Sequence, residues 1–124
     1  MRIGEAAQAA GLTAKQVRFY DDAGVIRAPQ RRENNYRDFA PGDVERLVLV
    51  RRLRELDLPL DEVRQIVRFC FDGRCDLMNA SLRDALLRHR DALRRRALDL
   101  RALDDDFDTL LKRLDEQQLG PDEV

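Results

Sequence analysis

Residues 12–24 read LTAKQVRFYDDAG, and the organisation of the first half of the chain follows from them. Thr13 followed by Gln16 is a capping box. The hydroxyl accepts from the backbone N–H three residues on, and the amide side chain reaches back to the N–H of Thr13. A helix therefore starts at about Ala14, and Gly24 supplies its stop, because glycine takes the left-handed conformation that ends helices. Upstream, Ile3, Ala6, Ala7 and Ala10 recur at helical spacing and give way to Gly11. Two short helices joined by a glycine-containing turn are the outline of a helix-turn-helix.

Beyond Gly24 the helical period breaks. Residues 25–39, VIRAPQRRENNYRDF, contain Pro29 and the pair Asn34-Asn35, and are expected to form a small β-hairpin, since Asn tolerates the positive φ of tight turns. Pro41 suits a first helical turn, and Val44, Leu47, Val50 and Leu53 carry an amphipathic third helix to about Leu56. After DLP, the residues Leu60, Val63, Ile66, Val67 and Cys70 mark one face of a fourth. The last helix has the most regular pattern. Leu82, Leu86, His89, Leu93, Arg96, Leu100, Leu103, Phe107, Leu110 and Leu114 alternate in steps of 4 and 3. That is a 3.5-residue repeat over more than four heptads, a coiled-coil seam. A helix of about 40 residues is roughly 60 Å long at 1.5 Å per residue, too long to bury its stripe on so small a partner domain. The expected partner is a second copy, with Leu82, Leu86, Leu93, Leu100, Leu103, Phe107, Leu110 and Leu114 as dimerisation residues.

Composition agrees with this outline. In 124 residues, 38% are charged and 6% aromatic, with no Trp, too little bulky apolar material for a large globular core. The expected layout is a helix-turn-helix domain with its hairpin at 1–69, a turn with cysteines at 70–76, a dimerisation helix at 77–118 and a short tail at 119–124. No segment approaches the roughly 20 apolar residues that span a bilayer, and MRIGEAAQAA lacks the apolar run of a signal peptide. A cytoplasmic location is expected, where cysteines are normally thiols.

The net charge of −1 is uninformative, but its distribution is not. The window from Lys15 to Arg54 holds 10 basic residues against 6 acidic ones. Lys15, Arg18 and the pair Phe19-Tyr20 fall near the exposed face of the second helix. Arg31, Arg32, Tyr36 and Arg37 follow in the hairpin, and Arg51, Arg52 and Arg54 in the third helix. Guanidinium and ammonium groups serve phosphates and guanine edges, and a phenol hydroxyl serves phosphate. Each cluster alone is commonly a solvated face; on a helix-turn-helix followed by a hairpin and a dimer helix they point to double-stranded DNA.

MRIGEAAQAAGLTAKQVRFYDDAGVI at 1–26 and RRENNYRDFAPGDVERLVLVRRLRELDLPLDEVRQIV at 31–67 resemble the MerR family of winged helix-turn-helix transcription regulators. The resemblance rests on Arg-Phe-Tyr in the second helix, Asn-Tyr-Arg in the hairpin and Leu-Pro-Leu-Asp-Glu-Val entering the fourth helix. It implies a mainly α fold with a β-hairpin wing and a long antiparallel coiled-coil dimerisation helix. It also implies a homodimer that distorts its operator so that RNA polymerase can use the promoter when an effector binds. Carried over by position, Lys15, Arg18 and Tyr20 contact DNA, and Arg31, Tyr36, Arg37 and Arg54 hold its backbone.

The only cysteines, Cys70 and Cys75, lie in FCFDGRCDL at 69–77. Cys75 matches the position where the zinc, cadmium and lead sensors of the family place one thiolate, so the chain is nearest to that divalent-metal branch. It departs from the branch at the tail LKRLDEQQLGPDEV, which has no Cys or His to complete a site. Three readings stay open. Both cysteines can be inert, with Cys70 packed against Val63, Ile66 and Val67. Cys75 at a helix N-terminus can be a reactive thiolate. Or Cys75, with Cys70, an Asp or His89 from either chain, can hold a divalent ion such as zinc. Alternatives from other classes are a coiled-coil adaptor without effector and a thiol enzyme using Cys75 and His89.

Overall fold

The computed structural model describes residues 1–26, 30–31, 37–71 and 73–116. Five helices and one hairpin follow in the order α1 (Ile3–Ala10), α2 (Ala14–Asp22), β1 (Gln30–Arg31), β2 (Arg37–Asp38), α3 (Pro41–Glu55), α4 (Leu60–Phe71) and α5 (Cys75–Asp115). The chain divides into two compact units, Met1–Arg83 and Asp84–Val124.

Local chemistry sets most boundaries in the first unit. Gly11 ends α1 with φ +75°, and its N–H bonds to the carbonyl of Gln8. Thr13 and Gln16 form the expected capping box. The Gln16 N–H donates to Thr13 Oγ1 at 3.1 Å, and the Thr13 N–H to Gln16 Oε1 at 2.9 Å. At the far end of α2 the stop is shared, with Ala23 as the cap and Gly24, at φ +72°, the residue that turns the chain back. The N–H of Val25 then reaches the Tyr20 carbonyl at 2.9 Å. Pro41 opens α3, where the Asp43 carboxylate accepts from the N–H of Ala40 at 2.8 Å. The turn from α3 to α4 holds the only non-glycine residue with positive φ among the described residues, Asp57 at +64°.

β1 and β2 pair antiparallel, with Gln30 opposite Asp38 and Arg31 opposite Arg37. Asn34, Asn35 and Tyr36 lie outside the described residues. Leading out of the hairpin, the N–H of Phe39 donates to the carbonyl of Met1 at 2.7 Å, tying β2 to the start of the chain.

The core of this unit is built from small residues on α1 (Ala6, Ala7, Ala10) against branched ones on α3 and α4 (Leu47, Val50, Leu53, Val63, Ile66, Val67), with Val17, Val25, Ile26, Phe39 and Leu58 filling between. Alanines let α1 approach both α2 and α3 closely, which suits a domain with few aromatics. Cys70 is half-buried rather than part of that core, because it sits at the end of α4 where the chain leaves the packed layer.

The break between α4 and α5 is narrower than the expected span of 70–76. Cys70 and Phe71 still belong to α4, and α5 already begins at Cys75, two residues ahead of Leu77. Gly73 makes so short a break feasible: it takes φ +69°, and the following N–H of Arg74 bonds to Phe69. In the second unit the apolar stripe of α5 stands open. Leu86, Leu93, Leu100, Leu103, Phe107 and Leu114 are exposed, with Leu93 at 67% and Phe107 at 68%. Leu110 is half-buried, as is Leu82 on the part of α5 that belongs to the first unit. The expected end near 118 falls outside the described residues. Among the described residues no helix is long and apolar enough to cross a membrane.

Candidate nucleic-acid interface

One face of α2 turns inward and the other outward. Val17 and Tyr20, three residues apart, are buried; Lys15, Arg18 and Phe19, at spacings of three and four, are exposed. This sorts a set that sequence reading had placed together on the exposed face. Lys15, Arg18 and Phe19 are there. Tyr20 is not, being only 7% exposed, for the simple reason that it shares the helical register of Val17. Tyr20 instead lines a concavity of about 240 Å³ bordered by Gln16, Arg51, Arg54 and Glu55.

Arginines from later helices hold α1 and α2 by their C-terminal ends. Arg51 of α3 donates from Nε to the carbonyl of Ala10 at 2.8 Å and pairs through Nη1 with Glu55 at 2.9 Å. Arg64 of α4 does the same for α2, from Nε to the carbonyl of Ala23 at 3.0 Å, with its Nη1 on Asp61 at 2.9 Å. The last carbonyls of a helix lack partners within the helix and carry the negative end of its dipole, so a guanidinium there both bonds and neutralises. Sequence reading had marked Arg51 as one of several basic surface residues and had not singled out Arg64. The bonds span 41 residues each, and no local pattern announces them.

Arg54 is exposed and uses Nη1 to brace the turn after α3, donating to the carbonyl of Leu58 at 3.0 Å. Its remaining N–H groups leave it able to serve a phosphate as well, since a guanidinium has five donors. For the hairpin, Arg31 and Arg37 are register partners on adjacent strands.

Among the described residues, the group of three or more His, Cys, Asp or Glu side chains with converging ligand atoms is Asp104, Asp105 and Asp108 on α5, all exposed. Three exposed carboxylates in water are ordinary, and this group includes none of Cys75, Cys70 and His89, the residues expected to hold a divalent ion such as zinc. The chain offers few sulfur or imidazole donors, two cysteines, two methionines and one histidine.

A helix-turn-helix whose second helix turns two cations outward, followed by a two-stranded wing, defines a DNA-binding protein of the winged helix-turn-helix class. Residues 1–70 match the family described as MerR HTH family regulatory protein, and residues 44–110 match the one described as MerR, DNA binding. The chain belongs to the MerR family of DNA-binding transcription regulators. It is similar to the HTH-type transcriptional regulator HmrR of Rhizobium leguminosarum bv. viciae, 42% identical over 84 residues, covering 68% of this chain and 63% of that one. It is also similar to the HTH-type transcriptional regulator PA4778 of Pseudomonas aeruginosa, 31% identical over 112 residues, or 90% of this chain and 83% of that one. Among solved structures, the transcription regulator PbrR691 from Ralstonia metallidurans CH34 in complex with lead(II) superposes with a TM-score of 0.66 at 32% identity. That match covers 90% of this chain and 86% of the other. The chain spans about half to two thirds of the length of most curated relatives it matches.

Proposed function

We propose that the protein is a homodimeric regulator that inserts α2 into the major groove of an operator duplex and alters promoter geometry in response to an effector. The observation that carries the DNA-binding half is the outward face of α2, Lys15, Arg18 and Phe19, on a domain of a DNA-binding family. Lys15 and Arg18 serve phosphates and base edges; Arg54 of α3 supports the backbone from beside them. Arg31, Tyr36 and Arg37 do the same from the wing, and Tyr20 contributes through the concavity it lines. RNA polymerase is the machine that uses the altered promoter. Residues 1–69 act as the reading head, 70–76 as the hinge, 77–118 as the dimerisation arm and 119–124 as a tail.

The homodimer rests on α5. A contiguous apolar stripe exposed to water is unfavourable, and its 3.5-residue repeat fits a second copy of the same helix. The relatives named above are transcription regulators, and a thiol enzyme built on Cys75 and His89 is the weaker reading, because His89 falls in the heptad seam and no orienting carboxylate is indicated for it.

A divalent metal is the effector class we favour, because PbrR691 was solved with lead(II). On this chain the donors for it are Cys75, with Cys70 or the partner's His89 as secondary candidates. That donor set is thinner than four-coordinate thiolate sites usually require, so a thiol-reactive signal at Cys75 is the second reading.

The test is titration of the protein with a duplex selected from a random pool, at several salt concentrations. DNA affinity should fall linearly in log–log form as salt rises, because bound cations are released from the duplex. Arg18→Ala or Tyr36→Ala should weaken binding while the dimer persists in sedimentation. Salt-independent binding, or none, would leave a coiled-coil adaptor as the better reading.

A further inference from the structure

In the apolar stripe of α5, the position between Leu93 and Leu100 is taken by Arg96, exposed like both of them. A single chain leaves this guanidinium in water. Any helix lying along the stripe covers it, and a covered charge without a counter-charge is costly. Its own helix supplies little. The residues three and four away are Ala92, Leu93, Asp99 and Leu100, and among the described residues Arg96 forms no ion pair. Arg88, by contrast, is paired within the helix, to Asp84 at 2.9 Å.

Charge along α5 is divided. From Arg88 to Arg101 stand six Arg against two Asp, and from Asp104 to Asp108 four Asp and no base. Ligand oxygens of Asp104, Asp105 and Asp108 converge within 4.8 Å of one another, so a cation brought to them relieves repulsion. A parallel second copy sets Arg96 against Arg96. An antiparallel copy sets it against the acidic stretch. Two antiparallel registers keep leucine on leucine. With Leu93 opposite the partner's Leu103, Arg96 falls opposite the partner's Leu100, beside the partner's Asp99 and the partner's Asp104. With Leu93 opposite the partner's Leu110, it falls opposite the partner's Phe107, beside the partner's Asp104 and the partner's Asp106. The partner's Asp104 flanks it in both.

We infer that Arg96 is the partner-selecting residue of α5, pairing across the interface with the partner's Asp104. One charged residue in an otherwise apolar seam fixes register and orientation, because only a helix that answers the charge covers it without loss. A second copy of this chain carries the answering carboxylates; a helix with a neutral or basic flank does not. The assignment rests on the reading that α5 is the dimer interface.

The experiment is a charge exchange on the full chain. One variant is Arg96→Glu. The other carries Asp99→Lys, Asp104→Lys and Asp106→Lys, which covers both registers, and Asp104→Lys alone is its milder form with the same expected sign. Each variant by itself opposes like charges at two symmetry-related contacts. Self-association measured by sedimentation should fall about a hundredfold, tenfold at each contact. Mixed in equal amounts, the two variants place opposite charges at both contacts, and a mixed dimer with close to wild-type affinity should appear in native mass spectrometry. Far-UV circular dichroism checks that each variant stays helical.

Variants that dimerise as the wild type does, or that regain nothing on mixing, overturn the Arg96 assignment while leaving the dimer reading intact. So does an Arg96→Glu chain that binds the wild type more tightly than the wild type binds itself, the signature of Arg96 facing position 96 in a parallel pair. A wild-type chain that stays monomeric at every concentration overturns both.

Discussion

Two glycines in the left-handed conformation flank the second helix, and replacing each with alanine separates a backbone effect from a packing effect. Gly24, at φ +72°, has open space where a Cβ would go. Gly24→Ala therefore costs only the strain of a left-handed L-residue, about 1–2 kcal/mol. Restricting the unfolded chain returns about 0.4–1 kcal/mol of that, leaving roughly 1 kcal/mol. Gly11, at φ +75°, carries the same backbone term, but its Cβ would lie 3.2 Å from Nε of Arg51. That nitrogen is not the loose end of a side chain. It donates to Ala10 at 2.8 Å while Nη1 is held by Glu55 at 2.9 Å. If the guanidinium swings away, a charge-assisted hydrogen bond at a helix terminus is lost, worth about 1.5–3 kcal/mol. Gly11→Ala is thus expected to cost about 2–4 kcal/mol in all.

The assay is urea unfolding followed by far-UV circular dichroism. All variants are compared at one protein concentration, because the stability of the proposed dimer depends on it. In an Arg51→Ala background, Gly11→Ala should cost no more than Gly24→Ala does in the wild type, since the two sites are then equivalent. Equal destabilisation by the two single glycine substitutions, or an unchanged Gly11→Ala cost without Arg51, would refute the clamp.

Asp57 holds φ +64° without being glycine. Asp57→Gly should raise stability by about 0.5 kcal/mol once the greater freedom of an unfolded glycine is subtracted; a loss would mean that its side chain bonds the turn. Phe107→Asp places a charge in the exposed stripe of α5 and should convert the proposed dimer to monomer in analytical ultracentrifugation, with DNA affinity falling in parallel. An unchanged sedimentation profile would place the dimer contact elsewhere. For the effector, protein purified under reducing conditions should carry stoichiometric metal by elemental analysis, lost in Cys75→Ser. Metal in neither protein would favour thiol chemistry, and metal retained in the variant would remove Cys75 from the ligands.

What could be read from residues alone was whatever depends on near neighbours. Gly11, the Thr13–Gln16 pair, Pro41 and the Pro59 turn mark helix ends through bonds that close within a few residues, and the structure forms each of them. The long helix was legible because a repeat of 3.5 residues keeps one stripe of a continuous helix in register over many turns, and α5 runs unbroken from Cys75 to Asp115. The placement of Phe19 outside and Tyr20 inside was present in the spacing from Val17, although residue chemistry alone, which favours a phenol for DNA, pointed the other way. Only the tertiary structure decided how α1 and α2 are held. Arg51 and Arg64 look in sequence like any other basic residues on charged helices; folding brings each to a helix terminus 41 residues away, where unpaired carbonyls concentrate negative charge. Neighbouring residues can announce a helix end, but a partner that distant becomes visible only once packing has placed it there.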